Sequence, residues 1–252
     1  MNIHIQGIPI YYERVGSGKP ALLLHGWGAN TAAMQPIAKC LAGLGREAVT
    51  LDFPGFGQSG APPLAWGVPE YAACVREFMR ALGIEGCDVV AHSFGGRVTL
   101  LLASAEPTLF GKLVLVDAAG LRPKRKPVYY FKVYGYKLGK LLGRVPLFDR
   151  LFRIGERQKS AGSVEYQQLS GVMRATFVKV VNLNLTGTLK RIPNETLLVW
   201  GSEDRETPLW MAKKMRREMP NAGLAILPGA GHFSYLDDYP RFCAMMKILF
   251  EV

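Results

Sequence analysis

Ser93 sits near the end of the run CDVVAHSFGG, from Cys87 to Gly96, and the residues around it have the sizes that a sharp strand-to-helix turn demands. A serine at the tip of such a turn is presented at strained backbone angles, so the residues two before and two after it must lack bulk. Ala91 and Gly95 stand at those places. The usual pattern has glycine at both, and Ala91 departs from it by one methyl group, which the crowding still tolerates. A serine hydroxyl is a poor nucleophile near neutral pH unless a histidine takes its proton and a carboxylate fixes that histidine's tautomer. Asp204 in WGSEDRETP and His232 in GAGHF are the candidates, each on a loop that follows a short apolar run. The chemistry open to such a trio is acyl transfer: Ser93 as nucleophile, His232 as base, Asp204 as the acid that orients it.

Attack on a carbonyl generates an oxyanion, which needs donors already in place when the charge appears. The loop HGWG, residues 25–28, offers the Trp27 backbone N–H, and the first turn after the serine offers that of Phe94. The other candidates have plainer readings. Glu203 and Glu206 compete with Asp204 for the acid role, and Asp117 is a further rival at the end of another apolar run. His92 adjoins Ser93 and so points to the opposite side of the strand, which suits packing or support rather than proton transfer. His25 reads as a brace for the HGWG loop and His4 as surface. Asp52 in DFPGFGQS is expected to hydrogen-bond its own glycine-rich turn, with Ser59 near the pocket mouth.

The elements that must carry these residues are legible as alternation. Ala21–Leu24, Glu47–Leu51, Asp88–Ala91, Lys112–Val116, Thr196–Trp200 and Leu224–Leu227 are short apolar runs bounded by turn residues, and they predict buried strands. Helical patterns fall between them at 31–43, 69–82, 95–105, 208–218 and 237–250. Strands alternating with helices predict a mostly parallel sheet covered on both faces, with ligands bound beyond the carboxyl ends of its strands. The first 20 residues alternate apolar and polar around Gly7-Ile8-Pro9 and predict a hairpin rather than a secretion signal. Strand signals vanish between Gly120 and about Lys190. The expected organisation is therefore a core of residues 1–120 and 191–252, interrupted by a helical cap at 121–190.

The chain has 252 residues, 49% of them hydrophobic, enough for one sizeable core. Its net charge of +11 is localised: residues 121–190 hold 15 Lys plus Arg against 3 acids, while the rest is close to balance. Lys132, Lys137, Lys140, Arg144, Arg150 and Arg153 read as a solvated helical face of the cap, and Gly135, Gly139 and Gly143 would loosen that helix by about 1 kcal/mol each relative to alanine. The same charge would attract an anionic partner: an anionic substrate, an acidic carrier protein, or an anionic membrane surface next to Tyr129 and Tyr130. No nucleic acid is expected, because no recognised binding motif accompanies the charge. No run of about 18 apolar residues suggests a membrane span. The four cysteines lack metal-like spacing and read as reduced core thiols of a cytoplasmic protein.

Taken together, HGWG at 25, DFPGFGQS at 52, AHSFGG at 91, WGSEDRETP at 200 and GAGHF at 229 resemble the α/β hydrolase family over essentially the whole chain outside the cap. The resemblance implies an α/β hydrolase fold, the order Ser93, Asp204, His232 for the triad, and no metal or organic cofactor. Relatives sometimes place the acid where Asp117 stands. A serine at the nucleophile position disfavours the aspartate-dependent branches. The expected activity is hydrolysis of a carboxylic ester with an apolar acyl group. The alternatives are carbon–carbon hydrolysis of vinylogous keto acids, cleavage of carrier-protein esters or thioesters, and, outside catalysis, a ligand receptor on a hydrolase scaffold.

Overall fold

The computed structural model describes residues 1–122 and 171–250. Most of the expected cap, including its glycine-spaced and basic positions from Lys124 to Arg153, lies outside the described residues.

The first two strands, β1 (Asn2–Ile5) and β2 (Ile8–Val15), form the hairpin, but the turn falls one residue earlier than Gly7-Ile8-Pro9. Ile5 pairs with Ile8, leaving Gln6 and Gly7 as the two turn residues, both at positive φ (53° and 76°). Such a turn matches the right-handed twist of the strands, and a β-branched Ile8 and a ring-locked Pro9 could not supply those angles.

Six further strands complete the sheet: β3 (Lys19–Leu24), β4 (Arg46–Leu51), β5 (Asp88–His92), β6 (Leu113–Val116), β7 (Thr196–Gly201) and β8 (Ala222–Leu227). The order is β1-β2-β4-β3-β5-β6-β7-β8, antiparallel at β1-β2-β4 and parallel from β4 onward. Both faces are covered, as the unbroken apolar runs require. Leu22, Leu24, Val89, Ala91, Leu113 and Leu115 join one buried cluster, while their neighbours Ala21, Leu23, Val90, Val114 and Val116 join another across the sheet. The period of two along each strand is what sorts them.

Helices α1 (Thr31–Gly43), α2 (Val68–Leu82) and α3 (Phe94–Ala105) precede the incompletely described segment. Helices α4 (Gly171–Asn182), α5 (Trp210–Glu218), α6 (Ser234–Asp237) and α7 (Tyr239–Phe250) follow. Local chemistry sets their ends. The Asn30 side chain accepts from Ala32 N at the start of α1, and Glu70 accepts from Gly67 N at the start of α2, which stops at Gly83 in the left-handed conformation. The single helix expected over 237–250 begins earlier, as α6, and breaks at Asp238. Pro240 explains the break: it lacks the N–H that would bond Leu236 O in a continuous helix and its ring would meet that carbonyl, while as the second residue of α7 it is tolerated in a helix's first turn. Among the described residues no helix is long and apolar enough to cross a membrane.

Candidate active site

Three loops at the carboxyl ends of β5, β7 and β8 bring Ser93, Asp204 and His232 together. Ser93 follows β5 at φ 48° and ψ −108°, a conformation that costs about 1–3 kcal/mol in a non-glycine residue and persists when its surroundings fix it. Here Ser93 N–H donates to Val116 O (3.1 Å), Ser93 O accepts from Ala119 N (2.9 Å), and Gly95 N–H donates to His25 O (3.1 Å). The small residues after the serine are sterically required. A Cβ on Gly95 would lie 2.3 Å from Leu24 O, and one on Gly96 would lie 2.4 Å from the Ala118 Cβ.

His232 Nε2 lies 2.9 Å from Ser93 Oγ, and His232 Nδ1 lies 2.9 Å from Asp204 Oδ2. Asp204 is buried in a turn of its own making: its Oδ1 accepts from Glu206 N (2.8 Å) and Thr207 N (2.9 Å), and its Oδ2 accepts from the Thr207 hydroxyl (2.5 Å). Burial pushes the Asp204 carboxyl up, but the hydrogen bonds from His232 and Thr207 outweigh this and hold it below the usual carboxylate range. Burial likewise pushes His232 down. Its hydrogen bond to Asp204, with the charges of Asp204, Glu206 and Asp117, leaves it above the ordinary histidine value.

The rivals occupy defined places. Asp117 is buried at positive φ (46°) after β6, where Oδ1 accepts from Gly201 N (2.8 Å) and Oδ2 from Ser234 N (3.0 Å). It thus ties the strand before Asp204 to the turn after His232, and Asp204, not Asp117, meets the imidazole. Burial pushes the Asp117 carboxyl up to about 7. Glu206 reaches the other ring nitrogen: its Oε2 is 3.2 Å from His232 Nε2. His92 supports the site and makes no hydrogen bond with the Ser93 hydroxyl, packing on Tyr235 in the cluster that Val90 joins. Its ring packs 5.0 Å from that of His232, and its Nε2–H donates to His232 O (2.8 Å), holding the loop from beneath. Burial pushes His92 down to about 3, so it stays neutral. His4 is exposed on β1.

The HGWG loop passes against the serine: a Cβ on Gly26 would sit 3.4 Å from Ser93 Cβ. Ala29 N donates to Gly26 O (3.2 Å), closing a turn with Gly28 at φ 75°, and a turn of this kind makes no use of the Trp27 N–H. Phe94 is the first residue of α3, so its N–H has no acceptor within the helix. His25 is fully buried. Its Nδ1–H donates to Gly26 O (2.7 Å) and its Nε2 accepts from Phe53 N (3.0 Å), a tautomer that braces the loop, and burial pushes its pKa down to about 4. Asp52 accepts from Thr31 N (2.6 Å) and Gln58 N (2.8 Å), and Ser59 Oγ donates to Asp52 O (2.7 Å), so both hold the glycine-rich turn.

The side chains of Trp27 and Phe94 belong to one aromatic cluster. Trp27 packs on Phe56, Phe94 and Phe177 with ring centroids 4.8, 5.4 and 5.2 Å away, and Phe94 also meets Phe53 and Tyr71. Phe177 comes from α4, which the core holds at its Thr176 side chain and at backbone carbonyls near its carboxyl end. Buried Arg97 donates to Val180 O (3.0 Å) and Leu183 O (2.5 Å), while Thr176 Oγ1 accepts from Trp66 N (3.1 Å). Among the described residues no group of three or more His, Cys, Asp and Glu side chains could hold a metal ion.

A model of the α/β hydrolase family matches residues 21–245. The 2-hydroxymuconate semialdehyde hydrolase of Pseudomonas putida is 30% identical over 92% of this chain and 87% of its own. An uncharacterised protein of Mycobacterium tuberculosis is 27% identical over 96% of this chain and 78% of its own. Among solved structures, an esterase from Exiguobacterium antarcticum superposes with a TM-score of 0.77 at 21% identity, covering 100% of this chain and 99% of that one. A meta-cleavage product hydrolase from Pseudomonas fluorescens reaches 0.75 at 23%, covering 100% and 97%. At such identities these two likenesses speak to the fold.

Proposed function

The chain belongs to the α/β hydrolase family, and from that premise we propose that it is a serine hydrolase cleaving a carboxylic ester with an apolar acyl group. One observation carries the reading: Ser93 Oγ, His232 and Asp204 form a continuous line of two 2.9 Å contacts at the carboxyl ends of three strands. In the resting state His232 carries its proton on Nδ1, facing Asp204, and its Nε2 accepts from the Ser93 hydroxyl. Attack of Ser93 Oγ on the ester carbonyl passes the Ser93 hydroxyl proton to Nε2, Nδ1 keeping its own, and the carbonyl oxygen takes up negative charge beside the Trp27 and Phe94 N–H groups. Asp204 stabilises the imidazolium without itself being protonated. Collapse of the tetrahedral intermediate breaks the ester C–O bond, and Nε2–H is delivered to the departing alkoxide. Water then repeats the sequence on the acyl-enzyme and regenerates Ser93. The cluster of Trp27, Phe56, Phe94 and Phe177 supports an apolar acyl group.

A fluorophosphonate probe tests this reading. Labelling is expected on Ser93, abolished by Ser93→Ala and strongly reduced by His232→Ala. A folded wild-type protein that resists the probe would overturn it. A second reading, carbon–carbon hydrolysis of a vinylogous keto acid, draws on the 30% identity to the Pseudomonas putida semialdehyde hydrolase. Comparing short nitrophenyl esters with a dienoate keto acid as substrates separates the two.

A further inference from the structure

We infer that Glu206 sets the charge preference on the leaving-group side of the site, favouring an alcohol that carries a positive charge over a neutral one and disfavouring an anionic one. The inference rests on the serine-hydrolase reading and names the substrate class within it. Its ground is position. Glu206 Oε2 lies 3.2 Å from His232 Nε2, the atom that must hand a proton to the departing alkoxide, and that same nitrogen is 2.9 Å from Ser93 Oγ. Whatever leaves therefore passes within a few ångströms of this carboxylate.

The carboxylate is placed by its backbone. Glu206 N–H donates to Asp204 Oδ1 at 2.8 Å, so the turn that seats the triad acid also aims Glu206 across the imidazole. Among the described residues His232 is the cation that meets it. When His232 is neutral, its Nε2 lone pair accepts from Ser93 and offers Glu206 nothing, so the carboxylate is then open to a cationic group on the substrate. The Glu206 side chain is 61% exposed, which screens the attraction. A unit charge about 5 Å away, in a setting between water and protein surface, changes rates by about tenfold.

The test uses three butyrate esters that share an acyl group and differ at the leaving alcohol: choline, its uncharged carbon isostere 3,3-dimethylbutanol, and anionic 2-hydroxyethanesulfonate. For the wild type, kcat/KM is expected to fall in the order cationic, neutral, anionic, by about tenfold per step. Glu206→Gln should bring the three ratios to within about twofold of unity, and Glu206→Lys should reverse the order. Each ratio is taken within one protein, so a general loss of activity cancels. An unchanged order in both variants, or a wild type that prefers the anionic ester, overturns the inference. If the wild type is labelled at Ser93 by fluorophosphonate yet shows no charge preference, the hydrolase reading stands and this inference alone falls. If it is neither labelled nor active on any of the esters, both fall.

Discussion

His232 gathers opposing influences: burial drives it toward neutrality, and three carboxylates pull the other way and win. A base must be neutral to accept the Ser93 proton, and a raised pKa keeps it charged to a higher pH. The expected profile of kcat/KM therefore rises with pH through a value above the ordinary histidine range of about 6.5. His25 and His92, pushed by burial to about 4 and about 3, are already neutral there and do not shape this limb. Asp204→Asn should lower kcat by about 10⁴-fold, because the amide no longer selects the productive tautomer, and should move the limb toward lower pH as the favourable charge is lost. Steady-state rates across the neutral range with an uncharged ester check both effects. An acid limb at or below the ordinary histidine value would contradict this account of the electrostatics.

At the scale of elements, helix α3 is the part whose placement tolerates least. Its N-terminus presses on β3 so closely that a methyl group at Gly95 would meet Leu24 O at 2.3 Å, and Gly95 N–H is the bond that ties α3 to His25 O. Gly95→Ala must push the helix start away from the sheet, carrying Ser93 and the Phe94 amide with it. We expect a stability loss of about 1–3 kcal/mol by urea unfolding, together with a fall in kcat of more than tenfold. A normally stable variant with unchanged kcat would show that the elbow is less constrained than this packing implies. The same element shows what a sequence makes legible. Strands buried on both faces are apolar runs, so β3 to β7 can be read along the chain, and loops that follow such runs can be assigned to one end of the sheet; β8, expected to be buried, is the half-exposed edge strand, with Ile226 40% exposed. Sequence distance hides what lies between loops. Asp117 holds Gly201 and Ser234, 84 and 117 positions away, and His92 meets His232 across 140. Thr207 stays hidden, and Glu206 is legible only as a rival acid, for another reason. An Asx-type turn from Asp204 is a local signal, but which side chain it aims at the imidazole depends on the neighbouring strand.

The whole molecule divides its labour between the two ends of its sheet. Ser93, Asp204 and His232 meet at the carboxyl ends of strands, where backbone strain and close ion-pair geometry are concentrated, while at the opposite end Asp88 ties the strands together. As the first residue of β5, Asp88 accepts from Arg46 Nη2 (2.5 Å) at the start of β4 and from Lys112 N (2.7 Å) ahead of β6, and pairs with Lys19 (3.4 Å) at the start of β3. Asp88 and Arg46 are both buried, so removing one charge strands the other; Asp88→Asn is expected to cost about 3 kcal/mol at neutral pH without moving the distant triad. Burial pushes the Asp88 carboxyl up, but Arg46, the Lys112 amide and Lys19 outweigh it and hold it below the ordinary carboxylate value. A folded-state pKa depressed in this way contributes stability that is fully present above the unfolded value of about 4 and is lost as pH falls through the lower folded value. The gap between wild type and Asp88→Asn in urea midpoints should therefore be wide at neutral pH and close progressively below about pH 4. A gap that stays constant into acid would mean that the cost of the substitution lies in packing, and that the strand ends are not held by this charge.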